Sequence, residues 1–333
     1  MSRRLRVLVD ASAIKYPNGL WFYTIDFIED LKKLGVHQID LIYPKFATKN
    51  IEGTQNVSLL TGFLKSWFGA YYNVFVMTLA LRGHYRQMVF IHDLWPMIQP
   101  NLLKSVLASL VSCFYRRLSK IITVSEYHQK KLNGKYCLPN KIPKVNEEDI
   151  SPIECDYLIV GTETNRKQVD KSILLIENIQ RHKYEKFSFE EVNSRREQEN
   201  IVIVTSNNAI FPATCRINFV DPSDLEKIRP KNVRSLYISL SREEGFNRGA
   251  AFALSRGFKL ILSDIPVHRE FFSIASTLFL NQKKIESIHQ DEYVVEVLQH
   301  SVTRSDNHQE VETISKILEH KRNYVLKNIL FGI

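Results

Sequence analysis

Residues 235–272 read SLYISLSREEGFNRGAAFALSRGFKLILSDIPVHREFF, and this stretch constrains the fold more than any other. The apolar run Ser235–Leu240 fits a buried strand. A turn follows at Glu244-Gly245-Phe246. A helix rich in small residues then runs from about Arg248 to Arg256, and Gly257 stops it. A second apolar strand, Phe258 to Leu262, ends at Ser263-Asp264-Ile265-Pro266. Strand, glycine turn, helix and strand form a βαβ unit, so the chain is of the α/β class with parallel sheets.

In such units ligands sit beyond the carboxyl ends of the strands. A helix N-terminus there presents unpaired N–H groups and the positive end of its dipole, both suited to phosphate oxygens. Gly245 has no Cβ and lets the backbone come close. Glu244 repels phosphate and suits a hydroxyl-rich neighbour. Phosphate beside sugar is the physical reading of this stretch.

The stretch resembles the donor-binding signature of the retaining GT-B glycosyltransferases of family 4, which reads roughly EGFG, a second Glu, a small-residue helix, Gly, a strand and SD-x-P-x-x-x-E. Glu244-Gly245-Phe246, Gly257, Ser263-Asp264, Pro266 and Glu270 fall in register. Phe252 stands where the family has its second glutamate, eight residues after the first. Asn247 stands at its second glycine.

Leu5–Asp10 reads as a first buried parallel strand, followed by a loop over Ala11–Asn18 and an amphipathic helix from Leu20 to Leu34. Read alone, Asn18-Gly19 is a simple turn. Asp10-Ala11-Ser12 with Gly19-Leu20-Trp21-Phe22-Tyr23 resembles the family's opening, with Trp21 in place of its usual second glycine. Strands are expected at Ile39–Tyr43 and Val57–Leu60. The run Leu64 to Leu81 carries one charge, Lys65, and reads either as a core helix or as an interfacial patch meeting a lipid-linked acceptor.

Met88–Ile91 is a strand that delivers His92 to the ligand edge of the sheet. Most isolated histidines are structural. The family's HD-x-x-P resembles His92-Asp93-Leu94-Trp95-Pro96, and the resemblance implies that His92 contacts the donor sugar. A helix over Leu102–Leu118 precedes the strand Ile121–Val124, and Ser125 is an N-cap. Residues 141–153 read as a linker. Tyr157–Val160 is a strand ending at Gly161. Arg166-Lys167 after it is, on its own, a solvated charge pair. The family's G-x-x-x-x-RKN spacing implies that these cations hold the donor diphosphate, Arg166 as a fork and Lys167 as a point charge. Further strands are expected at Asn200–Thr205 and Arg216–Val220. Helical periodicity runs from about His308 to Leu330.

The length of 333 residues suits two domains. Cys113, Cys137, Cys155 and Cys215 are too scattered for a zinc site or a disulfide framework, which fits a reducing compartment. The chain opens directly into a strand with no signal-peptide pattern. Its net charge of +9 is spread rather than clustered with aromatics, so nucleic acid is not the expected partner. An anionic membrane surface or phosphorylated substrates account for it equally.

The expectation is an α/β GT-B fold of two Rossmann-like domains facing across a cleft. Residues 1–150 would form the acceptor domain and 151–310 the donor domain, with a helix over 311–333 crossing back. The resemblance implies a retaining, metal-independent transferase. It would use a nucleotide-diphosphate sugar as substrate, no cofactor, and a glycan or lipid-linked acceptor of bacterial surface polysaccharide assembly, such as lipopolysaccharide, O-antigen or capsule. Mannose or rhamnose would be the sugar. The place of action would be the cytoplasm, peripheral to the inner face of the inner membrane. His92 and Glu244 would be catalytic; Gly19, Arg166, Lys167, Gly245, Phe246, Asn247 and Arg248 would bind donor. Phe252 removes a ribose hydrogen bond worth about 1–3 kcal/mol. The alternatives are a catalytically inactive binding or scaffold subunit and, with less support, a GT-B epimerase or phosphorylase.

Overall fold

The computed structural model describes residues 5–15, 19–47, 50–80, 84, 87–118, 120–143, 151–161, 164–185, 199–205, 217–288, 291–302 and 307–331. The linker expected over 141–153 therefore lies largely outside the described residues, as do Cys215 and the last residues of the loop before Gly19. Two compact units emerge. The first comprises Met1–Lys141, Glu244–Phe246 and Lys316–Ile333; the second comprises Ile142–Glu243 and Asn247–Ser315.

The first unit holds a parallel sheet in the order β3-β2-β1-β4-β5-β6-β7. Its strands are β1 (Arg6–Asp10), β2 (Gln38–Ile42), β3 (Thr54–Asn56), β4 (Asn73–Val76), β5 (Gln87–Ile91), β6 (Ile121–Thr123) and β7 (Tyr136–Cys137). Helices α1 (Gly19–Lys33), α2 (Leu59–Trp67), α3 (Trp95–Ile98), α4 (Leu102–Arg117) and α5 (Glu126–Leu132) connect them. On one face, Val7, Val9, Phe75 and Phe90 pack with Tyr23 and Phe27 of α1 and with Leu326 and Ile329 of the C-terminal helix. On the other, Leu8, Ile42 and Val74 form one cluster, and Val76, Val89 and Tyr115 form another.

That C-terminal helix, Asn307–Phe331, carries Arg322, which is 1% exposed. Its guanidinium donates to Asp30 Oδ2 at 2.8 Å and to Pro139 O, and it lies 5.3 Å from the centre of the Tyr23 ring. A buried cation needs such partners, because desolvation otherwise costs several kcal/mol, on the order of the loss seen when one member of a buried pair is removed.

The second unit holds a parallel sheet in the order β11-β10-β9-β13-β14-β15, from β9 (Tyr157–Val160), β10 (Ile201–Val204), β11 (Ile217–Val220), β13 (Leu236–Ser239), β14 (Lys259–Ser263) and β15 (Thr277–Leu280). A parallel pair of β8 (Ile153–Cys155) and β12 (Ile228–Pro230) stands beside it in the same unit. The helices are α6 (Thr164–Lys167), α7 (Val169–Tyr184), α8 (Arg248–Ser255), α9 (Pro266–Phe272), α10 (Gln282–Glu286) and α11 (Asp291–Val302), and α12 is the C-terminal helix Asn307–Phe331. Ile173, Ile176 and Ile179 of α7 pack with Ile159, Ile203, Ile238 and Ile261 of the sheet.

Two sequence expectations are corrected. Val57–Leu60 is not a strand. Ser58 takes an extended backbone and its hydroxyl accepts from Thr61 N at 3.0 Å, so it caps α2 at Leu59. The run Leu64–Leu81 is not one helix. Gly69 at φ +70° ends α2, and the aromatic and branched residues beyond it form β4. The run divides by burial as well. Tyr71 and Val74–Met77 are buried, whereas Trp67, Phe68 and Tyr72 are exposed.

Candidate functional site

The second sheet reverses its winding between β9 and β13. From β9 the chain steps outward through β10 and β11, then returns to pair β13 with the other side of β9. Such a switch point opens a crevice at the carboxyl ends of the strands. Both signature segments of this unit leave from there. Arg166 and Lys167 follow β9, and Leu240–Glu243 follow β13.

These two segments are bonded to each other. Arg242 N donates to Arg166 O at 2.9 Å. The Gln168 amide bridges as well, its nitrogen toward Leu240 O at 2.5 Å and its oxygen toward Arg242 Nε at 2.8 Å. Arg166 and Lys167 are half-buried, and the methylenes of Lys167 lie against Gly161.

Three non-glycine residues have positive φ among the described residues, and two of them are Gln168 at 49° and Asn247 at 63°. Both are the residues that enter helices at this switch point, α7 and α8. Backbone in this region costs of order 1–3 kcal/mol and persists where the surroundings enforce it. Asn tolerates it better than most residues, which suits Asn247 to this position.

The enforcing network at Asn247 was not legible in the sequence. Asn247 Oδ1 accepts from Ala250 N at 3.1 Å and from the Tyr237 hydroxyl at 3.2 Å. Its Nδ2 donates to Ser239 Oγ at 3.1 Å and to His268 Nε2 at 2.9 Å. His268 is fully buried, and its Nδ1 is 2.8 Å from Ser263 O. A carbonyl only accepts, so Nδ1 carries the proton and Nε2 accepts. The Asn247 side chain therefore points into its own unit and caps α8, rather than crowding the turn in front of it. Gly249 is equally constrained: a Cβ there would fall 2.6 Å from the Tyr237 hydroxyl oxygen. Helix α8 thus sits directly on β13, with the dipole of its first turn at the strand end.

Phe252 is 5% exposed and lies beneath Arg256, whose guanidinium carbon is 5.4 Å from the ring centre. Arg256 also donates to Glu226 O at 2.9 Å. Arg248 is half-buried at the first position of α8.

In the first unit, His92 follows β5. Its Nε2 lies 3.1 Å from Met77 O, and its ring meets Tyr23 edge-on at 4.8 Å. Nε2 therefore donates, and in the neutral tautomer Nδ1 is then the acceptor. The turn Glu244–Phe246 belongs to this unit, and all three of its residues are buried. A Cβ on Gly245 would fall 1.9 Å from His92 O, so no other residue fits without moving backbone. His92 and Gly245 are thereby brought together. Gly19 is exposed at the first position of α1. At this sheet's own switch point, between β1 and β4, Asp10 is buried. It accepts from Ser12 Oγ at 2.6 Å and pairs with His84 Nε2 at 3.1 Å. No spacing pattern in the sequence links Asp10 to His84.

No family model matches this sequence, and no curated protein sequence matches it significantly. Solved structures do resemble it along its whole length. A sucrose-phosphate synthase from Thermosynechococcus elongatus superposes with a TM-score of 0.65 at 9% identity, over 99% of this chain and 100% of that one. WaaG, a glycosyltransferase involved in lipopolysaccharide biosynthesis, gives 0.61 at 11% identity, over 99% and 100%. The lipopolysaccharide outer core galactosyltransferase WaaB gives 0.56 at 12% identity, over 98% and 99%. At these identities the likeness establishes architecture: the chain is an α/β protein with the GT-B fold.

Proposed function

We propose that the protein is a retaining glycosyltransferase that moves a sugar from a nucleotide-diphosphate donor to a glycan or lipid-linked acceptor. The observation that carries this reading is the switch point of the second sheet. There two cations and the N-terminus of α8 meet on bonded segments, with positive-φ residues entering both helices. That combination stabilises a diphosphate as its charge grows on departure. Arg166 offers a planar fork and Lys167 a compact charge, and together they do the work a divalent metal would do elsewhere.

In the transfer, the acceptor hydroxyl oxygen bonds the anomeric carbon as the bond to the β-phosphate oxygen breaks. The hydroxyl proton passes to the departing phosphate oxygen. Glu244 accepts hydroxyl hydrogen bonds from the sugar, as does His92 through Nδ1. Gly245 and Phe246 shape the turn beside them, Arg248 adds charge at the first turn of α8, and Gly19 completes the residues that the family resemblance assigns to the donor. Asn247 acts through structure, by fixing where α8 begins.

WaaG takes part in lipopolysaccharide biosynthesis, and WaaB is a lipopolysaccharide outer core galactosyltransferase. That supports surface polysaccharide as the product class here. Mannose or rhamnose as the transferred sugar follows the family resemblance alone. Phe252 favours a second reading, a binding subunit with a decayed donor pocket, because an apolar ring cannot hold a ribose hydroxyl.

Thermal melting with a panel of nucleotide sugars separates the two. The transferase reading expects a rise in Tm with one donor class, by mass action, lost in Arg166→Ala and Lys167→Ala. No shift with any donor, together with a shift gained in Phe252→Glu, would favour the binding subunit.

A further inference from the structure

Helix α4 carries its apolar residues on the outside. Leu102, Leu103, Val106, Leu107, Leu110 and Phe114 are all exposed, Leu103 to 80%, whereas the buried residues are Ser112 and Tyr115. A helix lying on a soluble sheet turns its apolar stripe inward. Helix α2 and its C-cap share the anomaly, with Leu60 exposed to 68%, Trp67 to 57% and the cap residue Phe68 to 86%. The two helices cover the same face of the first sheet. Gly62 of α2 sits over Leu8 and Ile42, which cluster with Val74; Tyr115 of α4 clusters with Val76. Val74 and Val76 are two apart on β4 and so point to one face. Apolar surface on this scale marks an interaction site.

Charge identifies what covers it. Between Gly53 and Ser125 the sequence has seven lysines and arginines and a single acid, Asp93, which accounts for six of the chain's nine net positive charges. Neither α2 nor α4 contains an acidic residue, and α4 ends in Arg116-Arg117. A face of one sign is not self-complementary, so a second copy of the chain is a poor match. Among the described residues no helix is long and apolar enough to cross a membrane. Apolar side chains sharing a helix with Lys104, Arg116 and Arg117, on helices too short to span, suit an anionic bilayer surface.

We propose that this face docks on an anionic membrane, with the apolar sides of α2 and α4 at the acyl boundary and Lys104, Arg116 and Arg117 among the lipid phosphates. The docking stands apart from the transferase reading, since it is measured as binding. Where both hold, the acceptor is carried by the lipid.

The test is flotation of the full chain with vesicles of phosphatidylcholine plus phosphatidylglycerol, beside vesicles of phosphatidylcholine alone. The expected result is flotation with the anionic vesicles, weakened by salt. Arg116→Gln/Arg117→Gln should lower partitioning roughly tenfold or more. Leu103→Glu/Leu107→Glu/Leu110→Glu should abolish it while Tm and circular dichroism stay at wild-type values. The Arg variant guards against misfolding of the Glu variant. Wild-type protein that stays in solution with both vesicle types would overturn the proposal. So would a folded Glu variant that floats like wild type. Self-association in sedimentation velocity, lost in the Glu variant and without vesicle binding, would assign the face to a second copy instead.

Discussion

Helices α8 and α4 both follow a strand of a parallel sheet, yet they are built inside out relative to each other. Helix α8 buries Ala250 to Leu254 without a break and is locked at its start by Asn247. Helix α4 buries two residues along its whole length and exposes six large apolar ones. In the first, small residues let the helix approach β13 closely enough to aim its N-terminus at the strand end. In the second, large residues serve something outside the chain. One fold supports both, because a covering helix needs only a few inward contacts to hold its place.

The contrast is sharpest in stability. Phe252→Ala would open a cavity beneath Arg256 and should cost about 3–5 kcal/mol, read as a lower denaturation midpoint with an unchanged slope. Asn247→Ala comes next. It removes the cap of α8 and the Asn247 bonds to the Tyr237 hydroxyl and His268, and puts alanine at positive φ. A loss of about 2–4 kcal/mol is expected, and Asn247→Gly should recover the part due to backbone strain. On α4 the outcome should differ in kind: Leu107→Ala should change stability by less than about 0.5 kcal/mol. A loss comparable to that at Phe252 would mean that α4 is covered within the chain, and the contrast would fail.

The smallest effect concerns the first unit at low pH. Lys321 of α12 donates to Glu126 Oε1 at 2.6 Å, and this bond holds the Glu126 carboxyl below its ordinary value of 4.5. A lowered carboxyl stabilises the fold above its unfolded value and loses that contribution as pH falls through the folded one. The pair is partly exposed and screened by solvent, so about 0.2–1 kcal/mol is at stake. Lys321→Ala should therefore lower stability at neutral pH and match wild type in strong acid. Equal stability at neutral pH would show that the pair contributes nothing.

The βαβ stretch was legible because its signals are local: apolar runs, Gly245, Gly257 and Pro266 punctuate it within forty residues. Arg166 and Lys167 were legible through their spacing from Gly161. Asn247 was seen at the right place, but its role depends on His268 and Tyr237, which only the fold brings to it. Arg322 and Asp30 pair across nearly the whole sequence, and no local pattern reports such a bond. The run Leu64–Leu81 misled because hydropathy counts residues without seeing that Gly69 splits them into a helix end and a strand. Periodicity in α4 shows an apolar side but does not say whether core or membrane covers it.

The most direct test of the account is release of nucleoside diphosphate from a panel of nucleotide sugars, with a lipid extract as acceptor source. The account predicts acceptor-dependent release from one donor by wild type, and a loss of about a hundredfold or more in Arg166→Ala, the scale of removing one preorganised charge from a transition state. No release from any donor, by protein that still binds the nucleotide and floats with anionic vesicles, would contradict it and leave a membrane-bound binding subunit.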